Sequence, residues 1–528
     1  MLPPMAAASS YDEVPYRSVP YPRTQPDRLA ALGRLFGLDA PAPSRARVLE
    51  LGCASGGNLL PLAERAPEAS FVGVDLSAAQ ISAGLALRDA VGLDNVELRH
   101  GDILDVDASW GAFDYVICHG VYSWVPPAVQ DRILAICRDR LTEHGVAYIS
   151  YNTYPGWHAR EMVRNMMRWH VRGLTDPAQR IGQSRALIDF LAGAVSDQAS
   201  GYGAMLTREL ELLSRAGDDY LFHEHLEECN APVYFHEFAD RIDHHGLQYL
   251  CESDVHMMLA RDLPQGVRET LDRIAPDLVR MEQYVDFVRN RQFRASLVCR
   301  RERPLVRALG PGSLAGLRLG FAGATTSSVT CDLTPEVECS FETEAGICVR
   351  SSQPITKAAL SVLHSLWPAD LGFDELWQRA ASSLAAAGLR AGDPAASQAR
   401  LGGDLLDCLL GGGAVEVRCE PPVLVPAAGA RPRIPAGARW LAGHQGWVPT
   451  GRHQTLELDR FGVEVVLACD GTRDRDAVQQ ELAAAIDAGR LTLPEGDGPA
   501  TPAELRARLS SMIAQALDAL ARCGAFVA

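Results

Sequence analysis

Through its first 160 residues the chain alternates short apolar runs with longer amphipathic stretches, the pattern of a parallel sheet covered by helices on both faces. Residues 46–51 (ARVLEL) form a β-prone run that stops at Gly52-Cys53-Ala54-Ser55-Gly56-Gly57-Asn58, and residues 59–65 then read as a helix. Residues 70–74 (SFVGV) predict a second buried strand ending in Asp75. Val96–His100 is the third, running into Gly101-Asp102-Ile103, and Phe113–Cys118 the fourth, running into His119-Gly120-Val121-Tyr122-Ser123-Trp124. Residues 145–151 are the fifth, followed by Asn152-Thr153-Tyr154-Pro155-Gly156-Trp157-His158. Ligands of such sheets bind outside the carboxyl ends of the strands, so these loops converge on one crevice.

The flanking segments read differently. Residues 11–26 hold four prolines and three tyrosines without periodicity, an extended segment that must dock on something, with Tyr11, Tyr16 and Tyr21 as candidates for closing the crevice or as plain surface anchors. Residues 27–37 place Leu29, Leu32, Leu35 and Phe36 on one face of a capped amphipathic helix. Residues 160–216 are helical in pattern, about four helices, too long and too apolar for a connector. A helix over 236–245 then leads to a strand at 247–251, and residues 282–294 lead to another at 295–301.

Beyond residue 308 Gly, Ala and Pro rise and the crevice signature ends. Residues 404–417 and 515–527 resemble each other as a leucine helix, a glycine stop and a short apolar strand, which predicts two winged-helix modules joined by the proline-rich residues 420–438. Their candidate recognition helices are neutral to acidic, poor DNA readers and better protein contacts. The expected division is 1–158 for the cap and strands one to five, 159–232 for a helical insert, 233–302 for the last two strands, 303–430 for a middle module and 431–528 for the last.

Composition narrows the function. A chain of 528 residues needs several cores, and 47% hydrophobic with 22% charged residues is ordinary globular protein. The net charge of −16 argues against nucleic acid and against an acidic membrane surface, and is compatible with a basic protein or cationic substrate. No basic leader with an apolar core opens the sequence and no uncharged apolar run reaches about 18 residues, so no membrane insertion and a cytoplasmic location are expected. Thirteen cysteines without C-x-x-C read as buried reduced thiols. His223 and His225 fall on opposite sides of a helix and H-E-x-x-H is missing, so no metal is expected.

The chemistry lies in the glycine turn. Asp75, about 20 residues after the glycines, is placed to accept from both hydroxyls of a ribose. The turn lacks the dinucleotide G-x-G-x-x-G, and Glu50 just before it suits a cation better than a pyrophosphate. S-adenosylmethionine (SAM), with its sulfonium and amino group, fits both. The plainer alternative is a tight turn with Asp75 as a helix cap. Asp102 is placed to accept from an adenine amine while Ile103 packs on the ring. The stretch E-L-G-C-A-S-G-G-N resembles motif I of the class I SAM-dependent methyltransferases. That resemblance implies cofactor contacts at Glu50, Gly52, Cys53, Ala54, Gly56 and Asn58, then at Asp75, Leu76 and Gln80, at Asp102 and Ile103, and at His119 and Tyr16.

YDEVPY, HGVYSWVPP, SYNTYPGWH and YLFHEHLEECNAPVYFHEF together resemble the bacterial methyltransferases that carry a methyltransferase regulatory domain, a group that includes lysine methyltransferases of outer-membrane surface proteins. One departure is Gln25, where that family has the histidine of T-H-P. The resemblance implies a Rossmann-like seven-stranded α/β core whose helical insert lies between strands five and six, with α+β winged-helix-like modules behind it. It implies a substrate rim of Tyr122, Trp124, Tyr154 and Trp157 with His119 and Asn152, suited to a lysine stem, and His119 or His158 as proton acceptor. The alternative for the aromatics is plain core packing. Two activities stay open: methylation of a protein lysine, and methylation of a small molecule at N or O with the extra modules serving regulation or a homodimer through the insert. A SAM-binding regulator without turnover is a third.

Overall fold

A computed structural model of the chain describes residues 10–195, 200–258, 260–261, 263–326, 331–492 and 502–528. Seven strands form the central sheet: β1 Arg47–Leu51, β2 Ser70–Asp75, β3 Val96–His100, β4 Phe113–Cys118, β5 Leu141–Asn152, β6 Leu247–Glu252 and β7 Phe293–Arg300. Their order is β3-β2-β1-β4-β5-β7-β6, with β7 antiparallel to both neighbours. Helices cover both faces, so β1 and β4 are buried almost throughout and carry unbroken apolar runs in place of alternation. The strand order reverses between β1 and β4, which opens the crevice beside the turn that follows β1.

Between β5 and β6 the chain runs through helices Trp157–His170, Pro177–Ala194, Gly201–Arg215 and Asp218–Leu221, then one π-helical turn, Phe222–Leu226. This insert has its own core around Met167, Ile188, Leu206 and Phe222. The closing strands are locked by Arg294 of β7, which donates to Glu252 at 2.7 Å, Asp286 at 2.8 Å and Glu282 at 3.0 Å, all buried.

The middle domain is a three-stranded antiparallel sheet, Arg318–Phe321 between Leu371–Gly372 and Val415–Arg418, with helices Pro354–Leu366, Phe373–Ala386 and Pro394–Gly411. Its core is continuous with that of the seven-stranded domain. The last domain has a separate core and packs helices Ala436–Gln445, Arg460–Ala468, Arg475–Asp487 and Pro502–Arg522 around the hairpin Trp447–Pro449 with Thr455–Glu457. The expected repeat holds only in part. Leucine helix and strand follow each other at 394–418, but residues 523–528 form no strand, and the hairpin of the last domain precedes its second helix.

The amphipathic helix Pro26–Leu35 also departs from expectation, for it has no side-chain cap. Proline at the first position needs no partner, and the Asp27 carboxylate turns away to accept from Arg418 and from the backbone N–H groups of Cys419 and Glu420. Among the described residues no helix is long and apolar enough to cross a membrane, and no group of three or more His, Cys, Asp or Glu is placed to hold a metal ion.

Candidate functional site

The turn after β1 is shaped by close approaches on both sides. Gly52 has φ +75°, and a Cβ there would meet Val121 Cγ2 at 2.4 Å, so the loop after β4 packs directly on its backbone. A Cβ on Gly57 would meet Ser18 O at 2.3 Å, because the amino-terminal segment lies across the turn and Ser18 Oγ accepts from Gly57 N at 2.8 Å. Asp75, at the end of β2, accepts from Ala54 N and from Ser77 N, each at 2.8 Å. Turn, carboxylate and the helix that follows β2 thus form one unit.

A cavity of about 590 Å³ opens over this unit. Gly52, Cys53, Ala54 and Asn58 line it from the turn, Asp75, Leu76 and Gln80 from the end of β2, and Asp102 and Ile103 from the end of β3. Tyr11, Tyr16 and Tyr21 close it as a strap. Gln80 Nε2 donates to Tyr16 O at 2.9 Å, Tyr21 lies 3.9 Å from the His119 ring, and Tyr11 stacks on His223 at 4.3 Å. Gly56 is not in the lining; it takes φ +72° at the back of the turn, against Leu60 and Leu98.

Glu50 is the buried acid of the cavity. It is 4% exposed, its Oε1 accepts from Asn58 Nδ2 at 2.8 Å, and its Oε2 is buried with no partner among the described residues. Burial pushes its carboxyl up to about 8, against the Asn58 hydrogen bond and helped by the neighbouring charge of Asp75. A buried carboxylate oxygen left bare in a cavity favours a cationic ligand. Together with the Gly52 backbone and the ribose-sized acceptor at Asp75, this oxygen fits an adenosyl sulfonium with its amino group.

The rim residues separate. His119 and Trp124 line the cavity; Tyr122, Asn152, Tyr154 and Trp157 do not. Burial holds the His119 imidazole neutral, pushed down to about 4, with Nδ1 3.0 Å from the Tyr148 hydroxyl. Tyr122 is wholly enclosed, edge-on to Tyr151 and Phe238 in the sheet core. Asn152 donates from Nδ2 to Asn230 at 3.2 Å and is 4% exposed. Tyr154 stacks on His158 and donates to Glu161 at 3.1 Å. Trp157 lies under Trp124, edge-on at 6.3 Å, and is 2% exposed. The cause is the returning insert: Thr153 pairs with Val233 and its hydroxyl donates to Val233 O at 2.7 Å, so residues 230–234 cover the end of β5 and the loop after it packs beneath them.

In place of those side chains the insert supplies His223, read from the sequence only as a failed metal ligand, and Glu224, which no motif marks. His223 and Glu224, from the π-helical turn, line the cavity. His223 Nε2 is 2.6 Å from Val14 O, which ties the strap to the insert. Burial pushes Glu224 up to about 7, against the attraction of Arg160, Arg164 and His223. Among the described residues its carboxylate carries no hydrogen bond or ion pair. A π turn adds a residue per turn and re-aims its side chains, a periodicity that a helical wheel misses. Gln25, the departure from the family's T-H-P, accepts at Oε1 from Arg418 Nη2 at 2.7 Å and does not line the cavity.

Residues 48–145 match the family described as methyltransferase domain, residues 217–300 the predicted methyltransferase regulatory domain, and residues 430–524 the PKMT C-terminal winged helix domain. An uncharacterized protein of Rickettsia prowazekii is 46% identical over 295 residues, 56% of this chain and 53% of that protein. A second from the same organism is 41% identical over 232 residues, 44% of this chain and 93% of its own length. The structure of PKMT2 from Rickettsia typhi in complex with AdoHcy matches over 97% of this chain and 100% of that one, at 29% identity and a TM-score of 0.87. With a sheet order, a glycine turn and a cation-ready carboxylate that agree with these matches, the chain belongs to the class I SAM-dependent methyltransferases that carry a methyltransferase regulatory domain.

Proposed function

We propose that the protein transfers the methyl group of SAM to a lysine ε-amine of a protein. The observation that carries this reading is the carboxylate that the insert adds to the cavity. Glu224 lines the cavity together with Trp124, Tyr11 and Tyr16, a mixture of acid and ring faces that suits an ammonium on an apolar stem. The likeness to PKMT2 and the PKMT winged-helix match support a protein substrate. SAM, when bound, supplies an electrophilic methyl on sulfur.

The residues do the rest by alignment and proton handling. Glu50 and Asp75 hold the donor end, Trp124 orients the lysine stem, and the closed strap keeps water out, an arrangement worth roughly 7 to 11 kcal/mol in favourable cases. A lysine must shed its proton before its nitrogen attacks. Glu224, pushed up to about 7, is matched to accept that proton near neutral pH, while His119 stays neutral. We further place a dimer contact on the insert, where Trp169 and Phe190 are each 66% exposed, and the enzyme in the cytoplasm, where its free thiols stay reduced.

Incubation with labelled SAM and either fractionated cell proteins or extracted small molecules tests the reading. Label on lysine in the protein fraction supports it. Label only in the small-molecule fraction replaces it with a small-molecule N- or O-methyltransferase.

A further inference from the structure

The cofactor turn is tied to the far end of the chain. Asn58 is 2% exposed, and its Nδ2 donates to Glu50 Oε1 at 2.8 Å. Its Oδ1 accepts from Tyr21 N at 3.0 Å and from His453 Nε2 at 2.7 Å. An amide oxygen has two lone pairs, and these two donors fill them. The Thr24 hydroxyl also lies 3.1 Å away, but its single proton has a nearer acceptor in Tyr21 O at 2.8 Å. One face of the Asn58 amide is thus held by the strap and by a residue 395 positions later, and the other face is left to Glu50.

His453 reaches this place by an unusual backbone. It is a non-glycine residue with φ +60°, in a turn where its own N–H donates to Thr450 O at 2.9 Å. Its neighbour Arg452 points the other way, donating to Glu416 and to Pro368 O in the middle domain, each at 2.9 Å. Two adjacent side chains therefore bolt the turn to two different domains. Burial keeps the His453 imidazole neutral, pushed down to about 3, so it has one N–H to give. The same domain also meets the strap directly, through Arg17 and Glu457 at 2.5 Å.

We propose that His453 is a positioning residue of the cofactor site, and that through it the carboxy-terminal winged-helix domain retains the cofactor by holding Asn58 against Glu50 and the strap against the turn. The domain then acts on the donor end of the reaction, independently of which amine is methylated. Without His453 a buried lone pair of Asn58 is left bare, and the amide is free to turn from Glu50.

Calorimetry of AdoHcy and SAM binding tests this without turnover. His453→Leu should weaken both ligands about tenfold, the effect of one lost buried hydrogen bond, while His453→Gln, whose amide Nε2 replaces the ring Nε2, restores affinity. In an Asn58→Ala background His453→Leu should cost nothing further, because the two residues act as one chain. A purely structural role would lower the melting temperature yet leave the affinity of the folded protein unchanged, or give additive losses in the double variant, and either result overturns the proposal. Should His453→Leu fail to fold, His453→Asn carries the same expectation, since asparagine tolerates the positive φ and its amide stops one bond short.

Discussion

Replacing Glu50 by glutamine tests the electrostatic centre of the site. The Glu50 carboxyl titrates at about 8 instead of its ordinary 4.5, mainly because it is buried. A cationic donor needs the ionised form, so the apparent dissociation constant is the intrinsic one divided by the ionised fraction. That fraction is about 1% at pH 6 and about one half at pH 8, so SAM should bind about 50-fold more tightly at pH 8 than at pH 6. About one proton should leave the protein per SAM bound at pH 6. In the ligand-free protein the sign reverses: a raised carboxyl contributes stability below 4.5 that is lost as the pH climbs through 8. Calorimetry from pH 6 to pH 8 in two buffers of different ionisation enthalpy measures both quantities. His119, pushed down to about 4, stays neutral across this window; Glu224, up to about 7, adds a smaller slope that Glu224→Gln removes. In Glu50→Gln the main slope and the proton should vanish. A wild-type affinity that does not change with pH, or a slope that survives in Glu50→Gln, refutes the reasoning.

Asp75→Ala strips two part-buried backbone N–H groups of their acceptor and removes the proposed ribose contact; SAM affinity by calorimetry should fall roughly 10- to 100-fold, and an unchanged affinity would contradict the placement. Glu224→Gln should lower kcat by about a hundredfold and abolish the acidic limb of the rate profile near pH 7, while SAM binds as before at pH 6, where Glu224 is mostly protonated; an unaltered profile removes Glu224 as the proton acceptor. Arg294→Leu leaves Glu252 and Glu282 buried without their ion-pair partner and Asp286 with Arg291 alone, so denaturant unfolding should show a loss of about 3–5 kcal/mol, and a loss below about 1 kcal/mol would mean the network is not what locks β7. Charging the exposed insert with Trp169→Glu and Phe190→Glu should turn a dimer into a monomer in sedimentation, and a wild-type protein that already sediments as a monomer sinks that contact.

Periodicity and turn chemistry are local, and what depends on them was readable from the residues alone. The strand runs ending at Leu51, Asp75, His100 and Cys118, the glycine turn between Gly52 and Asn58, and the acid at Asp75 all owe their places to neighbours within about 25 residues, so the cavity wall they build follows from the sequence. The other wall does not. Tyr122, Asn152, Tyr154 and Trp157 carry the same aromatic and polar signal as Trp124, yet Tyr122 packs into the sheet core, the return of the insert at Val233 covers the end of β5, and of these rim residues only Trp124 and His119 line the cavity. Glu224 reaches the cavity and His453 reaches Asn58 from elements 174 and 395 residues beyond Glu50 and Asn58, one on a π turn and one on a positive-φ residue, where neither spacing nor composition marks them. Side chains that reach a site from other domains are selected by packing across those domains, and that is a property of the folded chain.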